Sequence, residues 1–140
     1  MKHPIGSRPI GSQPIAVGIG CRLGCAAEAI ESVVLLALGR VPGGAPLGLF
    51  TIADKRGDPG LAEAANRLGF PLILLPRDEL REQAAAVETP SPASLGRFGV
   101  PSVAEAAALA GAGIGAVLLV TRIARDGVTC AIARPPEEPA

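Results

Sequence analysis

The strongest chemical signal in the chain is the run Gly18-Ile19-Gly20-Cys21-Arg22-Leu23-Gly24, where an apolar stretch breaks into glycines beside a thiol and a cation. Ile15, Ala16, Val17 and Ile19 precede the break as a strand, and Ala26 onward restarts with helical periodicity. A strand, a glycine-rich turn and a helix N-terminus in that order offer unpaired backbone N–H groups and the positive end of a helix dipole. Such a junction suits an anion. A second polar stretch, Ala53-Asp54-Lys55-Arg56-Gly57-Asp58-Pro59, follows the apolar run Leu47 to Ile52. If the two strands are parallel, Lys55 lies on the same sheet edge as the glycines, the edge where open α/β sheets bind ligands. Gly20, Cys21, Arg22, Gly24 and Lys55 are therefore the candidate ligand-binding residues, and carboxylates are the group they suit.

Other chemistries fit these residues less well. The glycine run is one residue longer than the dinucleotide fingerprint, and Asp54 falls more than thirty residues beyond it, too far for the ribose-binding acid. The Gly-Lys-Ser/Thr of a Walker loop is absent. Cys21 and Cys25 are four apart, but Cys130 and His3 are the only other Cys or His in the chain, so the donors fall short of a zinc set and no metal is expected. Cys21 beside a helix N-terminus is a candidate for a lowered thiol pKa. Covalent catalysis would still need a base, and His3 lies in the leader. Asp58 and Glu105 are the carboxylates available for proton transfer. Both also look like caps: Asp58 precedes Pro59 at a helix start, and Ser102-Val103-Ala104-Glu105 is a capping box in which Glu105 would reach back to the Ser102 amide.

At 140 residues with no net charge and 49 % hydrophobic content, the chain fits one domain with a substantial core. It contains no Trp or Tyr and only three Phe, so the core must be aliphatic and alanine-rich. Without a basic excess or stacking aromatics, nucleic acid is not an expected partner. An odd count of three cysteines argues for reduced thiols and not a disulfide framework. No stretch has the length of a signal-peptide core or a membrane span, and a cytoplasmic location with no membrane partner is expected.

Those residues need a frame. Residues 1–14 repeat Pro-Ile-Gly-Ser and are expected to form a flexible leader; residues 15–134 form the domain and residues 135–140 a disordered tail. A first helix is expected to Leu38 with Gly39 as its stop, a second from Asp58 to Gly69, and an apolar strand over residues 71–76 covered on both faces. Residues 77–86 suggest a helix with Leu80 and Ala84 on its apolar side. Ser91-Pro92 can open a short helix ending at Gly99, and the capping-box helix should end near Ala110. Residues 116–121 and 128–133 are β-rich, and the Asp126-Gly127 pair favours a turn between them. The expected fold is a three-layer α/β/α sandwich with a mostly parallel sheet of about five strands ending in a β-hairpin.

Four segments together resemble one family: Gly18 to Gly24; Lys55-Arg56-Gly57-Asp58-Pro59-Gly60-Leu61; Gly99-Val100-Pro101-Ser102-Val103-Ala104-Glu105-Ala106-Ala107-Ala108; and Val128-Thr129-Cys130-Ala131-Ile132-Ala133. It is the CobE family, equivalent to the C-terminal domain of CbiG, of cobalamin biosynthesis. The resemblance spans residues 15–134 and implies handling of a corrin-ring precursor, a tetrapyrrole fringed with acetate and propionate groups. In two-domain relatives the whole protein opens a ring lactone on a precorrin-5-type intermediate and releases acetaldehyde. The resemblance therefore implies a binder of an acidic corrinoid intermediate, or alternatively a lactone hydrolase, or a non-catalytic partner of other pathway enzymes. No cofactor is implied. Two positions depart from the family: Cys25 stands where Thr is usual, and Asp58 where Glu is usual.

Overall fold

The computed structural model describes residues 13–22 and 24–136. Most of the leader (1–12) with His3, the glycine-run residue Leu23, and the last four tail residues (137–140) lie outside them. Five strands, β1 (Pro14–Cys21), β2 (Ala45–Ile52), β3 (Leu72–Leu75), β4 (Val117–Arg125) and β5 (Val128–Arg134), form one sheet in the order β3-β2-β1-β5-β4. β1 pairs in parallel with β2, and β2 with β3. β5 runs antiparallel to both β1 and β4, so four strands share a direction and β5 alone opposes them. Asp126 and Gly127 join β4 to β5 with φ of 53° and 79°, the two left-handed residues that a primed hairpin turn requires.

Alternation along β1 sorts the two faces. Ile15, Val17 and Ile19 point to one side, where α1 (Ala27–Leu38) and α2 (Pro59–Leu68) supply Ile30, Val33, Val34, Leu61 and Ala64. Ala16, Gly18 and Gly20 point to the other, where α5 (Val103–Ala112) lies. A Cβ on Gly18 would sit 1.9 Å from the Ala104 carbonyl oxygen and 2.6 Å from the Ala108 nitrogen. Gly18 and Gly20 of the opening run are thus strand residues that seat a helix, whereas Gly24, with φ 80°, makes the turn after β1. Small residues on β5, Ala131 and Ala133, continue that seat.

Several elements depart from their expected form. Gly39 takes a right-handed φ of −62°, and two tighter turns, Arg40 N–H to Ala37 and Val41 N–H to Leu38, unwind α1 in place of a left-handed stop. Residues 77–86 split into α3 (Arg77–Arg81) and a 3₁₀ turn (Ala84–Ala86). Leu80 is buried there and Ala84 exposed, so only one apolar side chain anchors a segment too short to hold a longer helix. β3 is an edge strand whose four residues are each half-buried, a partial cover. Gly69, by contrast, ends α2 with φ 78° as expected, and α4 (Pro92–Phe98) ends at left-handed Gly99. The short 3₁₀ turn Ala53–Lys55 carries the chain out of β2.

Candidate functional site

A cleft of about 920 Å³ opens at the carboxyl ends of the parallel strands. Gly20, Cys21 and Arg22 reach it from the end of β1, Lys55 from the turn after β2, and Ser102 and Val103 from the first turn of α5. Arg122, Arg125 and Asp126 close it from the hairpin, and Arg97 and Phe98 from α4. Five cations, Arg22, Lys55, Arg97, Arg122 and Arg125, thus border one cleft against a single carboxylate, Asp126. Gly24 lines a smaller pocket of about 300 Å³, which also holds Asp58 and shares Lys55 as a wall.

The loop after β1 is held by the hairpin. The Arg22 N–H donates to the Gly127 carbonyl at 3.3 Å, and the Cys25 N–H to Arg22 at 3.4 Å. Gly20 pairs with Thr129 within the sheet. Ser102 and Val103 line the cleft and no residue of α1 does, so the helix terminus facing it belongs to α5 and not to α1. The notion of a low-pKa Cys21 fails on burial, which pushes the thiol up to about 12 although the Lys55 charge pulls the other way. Cys21 is a protonated wall residue at neutral pH. Burial likewise pushes Cys130 up to about 12.

Both carboxylate candidates serve the backbone. Asp58 Oδ1 accepts the N–H groups of Gly60 and Leu61 at the start of α2; its Oδ2 is buried without a hydrogen-bond partner among the described residues. Glu105 is fully buried and does not reach back to Ser102. Only half of the capping box forms, the Glu105 N–H donating to Ser102 Oγ at 3.2 Å. The Glu105 side chain instead accepts Glu88 N–H and Thr89 N–H on Oε1, at 2.8 and 3.0 Å, and Arg122 N–H on Oε2 at 2.8 Å. Burial by itself would raise its pKa, but the amides of Arg122, Thr89 and Glu88 favour the charged form more and hold it below the ordinary value. This carboxylate ties α5 to the loop before α4 and to the irregular stretch of β4 that carries Arg122.

A second set of contacts braces the opposite wall. Arg77 grips Asp54 at 2.6 Å and lies 5.5 Å from the Phe98 ring centre, with Arg97 at 5.7 Å over the same ring. The turn bearing Lys55 and the helix bearing Arg97 are thereby linked. Among the described residues, no three His, Cys, Asp or Glu side chains group as a metal site, and no helix is long and apolar enough to cross a membrane.

The family model described as "Cobalamin synthesis G C-terminus" matches residues 15–133. The chain belongs to that family. It is 33 % identical over 125 residues to Protein CobE from Sinorhizobium sp., covering 86 % of this chain and 80 % of the relative. Among solved structures it matches CobE, a protein from the cobalamin (vitamin B12) biosynthetic pathway, with TM-score 0.81 and 36 % identity over 96 % of this chain and 99 % of that one. Cobalamin biosynthesis protein chiG from Agrobacterium tumefaciens str. C58 matches with TM-score 0.68 and 43 % identity, over 88 % and 99 % of the respective chains. The family's fold, a five-stranded α/β sheet ending in a hairpin, is the one described above, and cobalamin biosynthesis is its pathway.

In this member of the family, sequence inspection picked out Arg22 and Lys55 but not Arg97, Arg122 or Arg125. Arg122 to Arg125 were expected in a connection, whereas β4 continues through them to the turn. The signal was Val120 and Ile123, both packed on the α1/α2 face; their odd spacing reflects the register shift between them, which breaks the two-residue alternation.

Proposed function

We propose that the cleft binds a corrinoid intermediate through its peripheral carboxylates. One observation carries this: five cationic side chains and one carboxylate line a single concavity. The volume of about 920 Å³ lies in the range of small-molecule sites, and a corrin precursor presents negative groups all around a flat apolar ring. Cations spread over the loops that follow β1 and β2, over α4 and over β4 match a ligand whose charges are at its rim. Phe98 and Val103 give the ring apolar contact.

Titration of the protein with hydrogenobyrinic acid, followed by visible absorption, tests this. A saturable spectral change is expected, with affinity reduced about tenfold or more in the Arg22→Ala/Arg122→Ala double variant, since a charged hydrogen bond is worth about 1.5–3 kcal/mol. Absence of binding at high micromolar ligand, or equal affinity in the double variant, overturns it.

Lactone opening with release of acetaldehyde is a second reading, and the unpartnered Asp58 Oδ2 next to the pocket that Lys55 borders is the observation on its side. Asp58 would activate water and Lys55 would stabilise the developing oxyanion. Glu105 is the poorer base, with both oxygens engaged by amides. Binding is preferred because Asp58 borders the smaller pocket and not the cationic cleft. Acetaldehyde produced from the lactone intermediate, and lost in Asp58→Asn, would reverse that preference.

A further inference from the structure

Lys55 is a cationic side chain placed where its charge has no protein partner. It is only 8 % exposed and, among the described residues, makes no hydrogen bond or ion pair. The acids next to it in sequence are committed elsewhere: Asp54 to Arg77 at 2.6 Å, and Asp58 Oδ1 to the Gly60 and Leu61 amides. Asp58 Oδ2 forms no ion pair with Lys55 and stays unpartnered. Its stem is packed away while its ammonium keeps contact with water, so an anion arriving in the cleft that it lines meets a cation with no competing side-chain partner.

The first turn of α5 reaches the same cleft through Ser102 and Val103. This helix has ten residues and its Ser102 cap consumes the Glu105 N–H, which leaves the Val103 and Ala104 N–H groups without a preceding turn to bond. Beside Gly20 the Thr129 hydroxyl and the Val103 Cβ take the space that a side chain would fill, and Ala104 is fully buried, so Val103 is the residue that brings this terminus to the cleft. Gly20 adjoins Cys21, whose thiol feels the Lys55 charge directly. Two independent features, a cation on a buried stem with no side-chain partner and the free Val103 N–H of a helix terminus, thus border the cleft near the end of β1.

We propose that Lys55 and the first turn of α5 form an anchor for one carboxylate of the ligand, distinct in role from the exposed arginines around it. This rests on the cleft being the corrinoid site, and it adds which part of the ligand is fixed first: one carboxylate takes Lys55 on one oxygen and the Val103 amide on the other. An amide in place of that carboxylate loses the charge that completes Lys55. The ligand must therefore reach this protein before any amidation of that side chain.

Backbone amide NMR of the whole chain, titrated with glutarate and separately with glutaramide, tests the anchor without a corrinoid. Glutarate is expected to shift the Cys21, Val103 and Ala104 resonances saturably at millimolar concentration, and glutaramide to leave them in place. Lys55→Met should weaken the glutarate response tenfold or more while its remaining spectrum stays native. Equal responses to the two probes, or no saturable shift at those three amides, overturn the anchor in the wild-type protein alone, whether or not the variant folds. Hydrogenobyrinic acid run in parallel separates the two ideas. Glutarate shifts without corrinoid binding sustain the anchor and defeat the proposed function; corrinoid binding of equal strength in wild type and Lys55→Met defeats the anchor only.

Discussion

The two faces of the sheet are built from different residues and do different work. Against α1 and α2 the sheet presents Ile15, Val17, Ile19, Leu49 and Ile132, large aliphatic side chains that fill the space between layers. Against α5 it presents Ala16, Gly18, Gly20, Ala131 and Ala133, met by Ala104, Ala107 and Ala108. The first face gains stability by removing apolar area from water, about 25 cal/mol per Å². The second also buries Phe50, Ile52 and Leu109, but where α5 crosses β1 and β5 it has little side chain and gains proximity: backbone approaches backbone, and the helix is held where its N-terminus opens into the cleft. Buried polar groups serve both layers: Ser102 and Glu105 hold the start of α5, and Asp58 caps α2. The aliphatic face makes the protein a domain; the small-residue face makes the domain a site.

Removal of Glu105 should break this contrast most severely. Glu105→Ala leaves the Glu88, Thr89 and Arg122 amides without their acceptor, each worth about 1–3 kcal/mol, and a loss of about 3–5 kcal/mol is expected in urea unfolding. A loss under about 1 kcal/mol would mean that water replaces the carboxylate. Acidity gives a second view. The folded pKa of Glu105 is depressed, so its contribution is present above the ordinary carboxylate value of 4.5 and fades as pH falls through the lowered one. The acid limb of stability should therefore be shallower in Glu105→Gln than in wild type, and parallel limbs would refute that role.

The next largest effect comes from one methyl group added on one face or removed from the other. Gly18→Ala sets a Cβ against the Ala104 carbonyl, a backbone atom that moves only if α5 moves, and should cost about 3 kcal/mol. Ile30→Val deletes a methyl from the fully buried aliphatic face and should cost about 1 kcal/mol. Thermal unfolding of the two variants side by side measures the difference; equal costs would mean that both faces yield alike. Smallest, and opposite in sign, is Gly96→Ala on α4, where a Cβ meets nothing within 4 Å. Here the change should raise stability by up to about 1 kcal/mol, through helix propensity alone.

How much of this was legible in the chain follows from the range of the interactions. Local signals held: Asp58 before Pro59 caps α2, Asp126-Gly127 makes the hairpin turn, and the spacing of Ile30, Val33, Val34 and Ala37 marks the buried side of α1. Each depends on neighbours within a turn of chain. In the glycine run Gly24 makes the expected turn, but Gly18 and Gly20 were misleading, because a glycine that admits a distant helix looks in sequence like a glycine that makes a turn.

The sequence by itself determined the alternation of strands and helices, the closing hairpin, the family, and two of the cationic residues of the cleft, Arg22 and Lys55. Tertiary structure alone decided that Arg97, Arg122 and Arg125 join them. It also decided that α5 and not α1 presents its N-terminus to the cleft, and that Glu105 serves three distant amides in place of its own cap. The reason is physical: periodicity and capping are written within a few residues, whereas a cleft is made where segments separated by dozens of residues are forced together by the close seat of α5 on β1.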